Sequence, residues 1–153
     1  MNAKKDGGGT EAAAEAALAI VSFGGNLGNR EENLRRAIDA LAAFPRTRLV
    51  AESSFCETEP VDVPPQFAAL KFLNCAAFYE TRLDAFEFSR RMHAVEDAMG
   101  RVRTVKNGPR TIDIDLIDFA GMRIDTPELT LPHPRAAQRD FVMKPIEEIR
   151  NRL

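Results

Sequence analysis

Apolar runs and amphipathic stretches follow one another as strand, helix, strand and then strand, helix, strand. That order predicts an α+β protein with a ferredoxin-like βαββαβ antiparallel sheet, both helices on one face and short C-terminal additions. Two further observations support it. The stretches 30–44 and 84–99 repeat apolar residues at steps of three and four, the period of a helix with one buried stripe. The chain has 153 residues, with 44% apolar and 29% charged content, which suits one domain with a folded core.

The elements are justified in order. Residues 1–17, "MNAKKDGGGTEAAAEAA", are low in complexity and read as a disordered tail, so the domain is expected over 18–153. "LAIVSF" is a short apolar run that fits a buried strand, and "GGNLGN" is a turn. Asn29 can cap the first helix with Glu32 at its third position; Leu34, Ile38, Leu41 and Phe44 supply its stripe, and Pro45 ends it. "TRLVAESSFCE" reads as the second strand and "LKFLNCAAFYE" as the third. The proline-rich "TEPVDVPPQF" between them is a connection. The second helix covers Asp84 to Met99, through Ala85, Phe88, Met92, Val95 and Met99, with Gly100 as its C-terminal stop. A basic loop, "RVRTVKNGPR", leads into the fourth strand. "MRIDTPELTLPHPR" suggests a short hairpin and "FVMKPIEEIRNRL" a last short helix. With both long helices on one side, the other sheet face is expected to stay free for ligands.

The net charge is −2, which gives no reason to expect nucleic acid or membrane as a partner, and no apolar run approaches a membrane span. The Ala- and Glu-rich start has no secretory pattern. Cys56 and Cys75 have no metal-binding spacing and read as small buried thiols in a reducing compartment, so the cytoplasm is expected.

The chemistry points to "GPRTIDIDLIDF". On a strand, Ile112, Ile114 and Leu116 face one way; Asp113 and Asp115 face the other, with Ile117 and Phe119 beyond them. The two acids are then roughly 7 Å apart along the backbone, at about 3.4 Å per residue. Asp is a poor strand former, and two such charges repel unless a cation lies between them. Carboxylate oxygens without a nearby His or Cys suit Mg²⁺, which keeps water and seeks phosphate oxygens. Arg101, Arg103, Lys106 and Arg110 stand just upstream, on a loop turned by Gly108 and Pro109. Arginine forks match phosphates, so an acid pair beside them describes a Mg-nucleotide site.

"GRVRTVKNGPRTIDIDLIDF" resembles the signature of the 6-hydroxymethyl-7,8-dihydropterin pyrophosphokinases of folate biosynthesis. "SFGGNLGNREENL", "SSFCETEPV", "KFLNCAAFYE" and "LTLPHPRAAQRDFVMKPIEEI" resemble other segments of that family, in order, over about Leu18 to Ile149. The resemblance implies transfer of the pyrophosphoryl group of ATP to the pterin hydroxymethyl oxygen, releasing AMP. Carried over residue by residue, Asp113 and Asp115 would bind two Mg²⁺ ions, with Arg101 and Arg110 catalytic on the phosphates and Arg103 assisting. Thr130, His133 and Arg139 would hold the nucleotide side. Phe72 and Phe141 would wall the pterin, Asn74 would pair with its ring edge, and Gly24, Thr58 and Val61 would complete the rim. His93 stands where members often carry Gln, Phe72 where some carry Tyr, and the basic loop has no aromatic residue. The partners implied are ATP and the pterin, with a monomer as the working unit.

Three rival readings remain. A small-molecule-binding regulatory module of the same shape would not need an acid pair flanked by arginines. An RNA-binding sheet would need exposed aromatics and a basic face, where "LAIVSF" offers at most Phe23. A different Mg-dependent phosphotransferase is the nearest rival among enzymes.

Overall fold

The computed structural model describes residues 15–60, 64–100 and 111–153. The expected tail therefore lies outside the described residues except for its last three, of which Ala17 opens a strand. That strand, β1 (Ala17–Gly25), lies inside an antiparallel sheet. The other strands are β2 (Thr47–Glu52), β3 (Cys56–Thr58), β4 (Phe72–Thr81) and β5 (Asp113–Phe119), in the order β2-β4-β1-β5, with β3 also paired to β4. A small hairpin of β6 (Ile124–Asp125) and β7 (Thr130–Leu131) follows, as expected.

Two helices cover one face. In α1 (Arg30–Ala42), the Asn29 side chain accepts the Glu32 N–H at 3.1 Å; in α2 (Ala85–Ala98), Asp84 accepts the Glu87 N–H at 2.8 Å. Each cap satisfies an amide that the helix itself cannot pair. Gly100 takes φ +83° just past α2, a left-handed turn that glycine adopts without steric cost. Beneath the helices, Leu34, Ile38, Leu41, Phe88 and Met92 pack on Val21, Phe23, Tyr79 and Ile114. Phe88 sits at the centre, with ring centroids 5.5 Å from Phe44, 6.1 Å from Tyr79 and 6.0 Å from Phe119. The Tyr79 hydroxyl donates to the Ile38 carbonyl at 2.9 Å, which satisfies a phenol whose burial pushes its pKa up.

The opposite face is not free along its whole length. A third helix, α3 (Asp140–Arg152), lays Val142, Ile146 and Ile149 on Ile20, Ala76, Phe78 and Ile117. Those sheet residues are apolar, so leaving them in water would cost more than ordering a helix over them.

Three other expectations change. The second strand is two strands, because 53–55 stand against only 75 and 76 between the pairs Glu52↔Ala77 and Cys56↔Asn74. Phe119 does not share a face with the aspartates. The register shifts between Ile20↔Asp118 and Val21↔Leu116, so Ile117 is an extra residue and Phe119 turns into the helix-side core. Cys75 is buried, and desolvation pushes its thiol up to about 12, but Cys56 is exposed on the short β3.

Candidate active site

The register sorts the expected residues more sharply than parity within each strand. Asn74 on β4 and Asp113 on β5 both pair with Gly24 of the strand between them, so the three form one row across the sheet. The next row is Ala76, Ser22 and Asp115. On the other side of Asn74, Phe72 pairs with Thr58. Residues directly opposite in a ladder, and alternate residues along a strand, project to the same face. Gly24, Thr58, Phe72, Asn74, Asp113 and Asp115 therefore share the face opposite α1 and α2.

Asn74 is only 4% exposed and tightly aimed. Its Nδ2 donates to Thr58 Oγ1 at 2.7 Å and to the Cys56 carbonyl at 3.4 Å. Its Oδ1 lies over Gly24, where a Cβ would stand 2.9 Å from that oxygen. Glycine is required at 24 because a side chain there would displace the amide. An amide fixed in this way can read a flat heterocycle's edge.

Asp113 and Asp115 are half-buried. Between them, the Ile114 N–H donates to Glu96 Oε2 of α2 at 2.6 Å, and Glu96 Oε1 lies 3.1 Å from His93 Nδ1. Glu96 is 2% exposed and is the residue that sequence reasoning passed over. Its signal was present: Glu96 continues the stripe Phe88, Met92 by one more step of four, so an acid stands where the pattern calls for an apolar side chain. His93 contacts this acid, with its side chain 60% exposed.

The remaining expected residues belong to the C-terminal part. Phe141, in the first turn of α3, packs against the cluster under that helix, and the Arg139 guanidinium lies 5.7 Å from its ring centroid. The His133 N–H donates to the Ile117 carbonyl at 2.9 Å, and its Nδ1 accepts the Arg135 N–H at 3.2 Å. The first contact fixes the backbone at His133 and the second orients its ring. Thr130 is exposed on β7. Val61, Arg101, Arg103 and Arg110 lie outside the described residues.

Among the described residues no group of three or more His, Cys, Asp or Glu could hold a metal. For a metal ion, Asp113 and Asp115 would supply oxygen ligands only, with the other coordination positions left to water and phosphate. That donor set fits Mg²⁺, which rarely takes an all-protein cage, better than zinc.

Residues 20–151 match the family model described as 7,8-dihydro-6-hydroxymethylpterin-pyrophosphokinase (HPPK). The chain belongs to this family. Its reaction, pyrophosphoryl transfer from ATP to hydroxymethyldihydropterin in folate biosynthesis, is the reaction of this chain. The chain is 38% identical over 132 residues to the 2-amino-4-hydroxy-6-hydroxymethyldihydropteridine pyrophosphokinase of Bacillus subtilis, covering 86% of this chain and 77% of that one. It is 34% identical over 129 residues to the enzyme of that name from Pseudomonas aeruginosa, covering 84% and 78%. A crystal structure of Plasmodium falciparum HPPK-DHPS with pteroate superposes with a TM-score of 0.66 at 11% identity, over 90% of this chain and 40% of that one, and shares the fold.

Proposed function

We propose that the reaction runs on the polar half of the face opposite α1 and α2, with the pterin against β3 and β4 and the triphosphate at the acid pair. The observation that carries this reading is the row Asn74–Gly24–Asp113, which puts an aimed amide and the first carboxylate on one surface. β4 and β5 are two strand spacings apart, about 10 Å, enough to separate a heterocycle's edge from the group it receives. Phe72 and Phe141 wall the ring, the Asn74 amide and Thr58 meet its polar edge, and Gly24 leaves room for it. Val61 completes the rim.

Asp113 and Asp115 would hold two Mg²⁺ ions, and when bound these neutralise charge on the triphosphate in the transition state. Arg101, Arg103 and Arg110 hold the phosphates, while Thr130, His133 and Arg139 serve the nucleotide side. This positions the hydroxymethyl oxygen for attack on the β-phosphorus with AMP leaving, a geometry that lowers the barrier by pre-paid orientation. The free thiols at Cys56 and Cys75 support a reducing compartment and so the cytoplasm. On this reading the working unit is a monomer.

The test is nucleotide consumption with and without 6-hydroxymethyl-7,8-dihydropterin. Pterin-dependent AMP formation is expected. ADP as product, or turnover indifferent to the pterin, would overturn the assignment.

A further inference from the structure

The link between β2 and β3 is fastened by a carboxylate from the other end of the chain. Glu148, on α3, accepts the Ser54 N–H through Oε2 at 2.9 Å and the Ser54 hydroxyl through Oε1 at 2.7 Å. Arg152, one turn on, pairs with the same carboxylate. Next to it, Ser53 is 4% exposed and takes up the extra residue of this strand. Its N–H donates to the Ala76 carbonyl, its hydroxyl accepts the Ala76 N–H, and that hydroxyl donates to the Ser54 carbonyl, all at 2.9 Å. The chain leaves Ser54 and enters β3, whose Cys56 carbonyl and Thr58 hydroxyl hold the Asn74 amide.

We propose that Glu148 is a positioning residue for the pterin end of the site: by clamping Ser54 it sets where β3 lies against β4, and so where Asn74 points. This rests on the reading that Asn74 meets the pterin. β3 has three residues, pairs among the described residues with β4 alone, and is held from its flank by the Arg30–Glu57 ion pair at 2.7 Å. So short a ladder specifies its own register weakly. If Ser54 is released, Thr58 Oγ1 and the Cys56 carbonyl move off Asn74 Nδ2, and the amide is free to turn. Hydrogen bonds to charged acceptors at both atoms of Ser54 are the strong kind, and backbone and side-chain donation from Ser54 holds Glu148 below the usual carboxylate range.

The experiment compares Glu148→Ala, Glu148→Gln and Ser54→Ala with the native chain. Glutamine keeps the two-point contact, because its oxygen accepts the Ser54 N–H while its NH₂ donates to the hydroxyl; it loses only the charge. Glu148→Ala should weaken pterin binding about five- to tenfold, the size of about one net hydrogen bond, with MgATP binding changed less than about twofold. Glu148→Gln should stay within about twofold for both ligands, and Ser54→Ala should fall between. In ¹⁵N–¹H spectra of the free protein, the Asn74 side-chain resonances should move in Glu148→Ala and Ser54→Ala and stay in Glu148→Gln. An unmoved Asn74 amide with native pterin affinity in Glu148→Ala overturns the proposal. So does equal weakening of both ligands, which marks a merely structural role. If Glu148→Ala does not fold, Ser54→Ala decides by the same readouts. Failure of the native chain to bind the pterin would strike the proposed function instead, with the Asn74 resonances still reporting the clamp.

Discussion

On β4, Ala76 and Phe78 stand under α3, whereas Phe72 and Asn74 on the same face lie outside that helix's cluster. The same change of character runs through the neighbours. β1 passes from Ile20 to Gly24, and β5 from Ile117 back to Asp115 and Asp113. One ladder of strands thus carries two surfaces, an apolar half sealed by Val142, Ile146 and Ile149 and a polar half that keeps Thr58, Phe72 and the acids half-buried. The backbone is the same in both; side-chain chemistry decides which half a helix can cover. Burying each large apolar side chain stabilises by about 1.5–3 kcal/mol. Covering the acid pair would instead strip water from two charges, a desolvation cost that an apolar helix stripe does not offset.

The largest effect should come from the polar half. Asp113→Ala or Asp115→Ala is expected to abolish transfer, a loss of roughly 10⁴-fold or about 5 kcal/mol in the barrier. Thermal unfolding without metal should show that both variants still fold cooperatively, so that the loss belongs to transfer and not to the fold. Near-native turnover at saturating Mg²⁺ in either variant would remove the metal assignment. The helix-covered face should respond in the opposite sense. Phe88→Ala empties the meeting point of Phe44, Tyr79 and Phe119 and should cost about 3–5 kcal/mol of stability by denaturant titration. Residual folded enzyme should keep its substrate affinities. If Phe88→Ala changes pterin affinity at unchanged stability, the division between a structural face and a chemical face fails.

Much of this division was legible in the chain. Asp113 and Asp115 share a face by strand parity, and so do Phe72 and Asn74, because alternation along a strand is a local property; that the two pairs share one surface comes from the register through Gly24. Phe119 was misplaced by the same rule, since the extra residue Ile117 answers to β1 across the ladder and not to its own neighbours. The stripe Val142, Ile146, Ile149 is visible as a helix pattern, but a stripe does not name the surface it seals. Cys56 looked like a core thiol because its exposure depends on β3 being a strand of three residues paired to β4, a tertiary arrangement that cysteine spacing does not report. Glu96 was passed over for a similar reason: the partner that makes a buried acid tolerable, the Ile114 N–H, comes from another element.

A middle-sized effect tests whether the polar half also has an aromatic wall. Phe72→Ala should weaken pterin binding by about 1–3 kcal/mol, by analogy with base–aromatic stacking, and leave ATP binding near native. Equal loss for both ligands would mean that Phe72 supports the sheet rather than the ring.

The smallest effect is a matter of pH at the seam between α1 and β2, where both terminal nitrogens of the Arg35 guanidinium bond the Glu52 carboxylate. The hydrogen bond to Arg35 holds Glu52 below its usual value, against the opposing effect of burial. A depressed carboxylate contributes stability that is fully present above the unfolded value of about 4.3 and is lost as pH falls through the lower folded value. Both side chains are partly exposed, so solvent screening limits this to roughly 0.5–1 kcal/mol. Glu52→Gln should flatten that part of the acid unfolding curve and leave neutral-pH activity unchanged. An identical acid limb in the variant would show that the pair contributes nothing.

The Glu96 bond to Ile114 also bears on how the molecule behaves in a crowd. β5 ends the main sheet, and a strand in that position offers its outward amides to any passing chain. Here the Ile114 amide is already occupied by a buried carboxylate, and Asp113, Asp115 and Asp118 make the same strand strongly acidic. A second copy trying to extend the sheet would meet a spent donor and a row of like charges. Asp113 and Asp115, besides the place at the triphosphate proposed for them, would then also discourage self-association of the sheet.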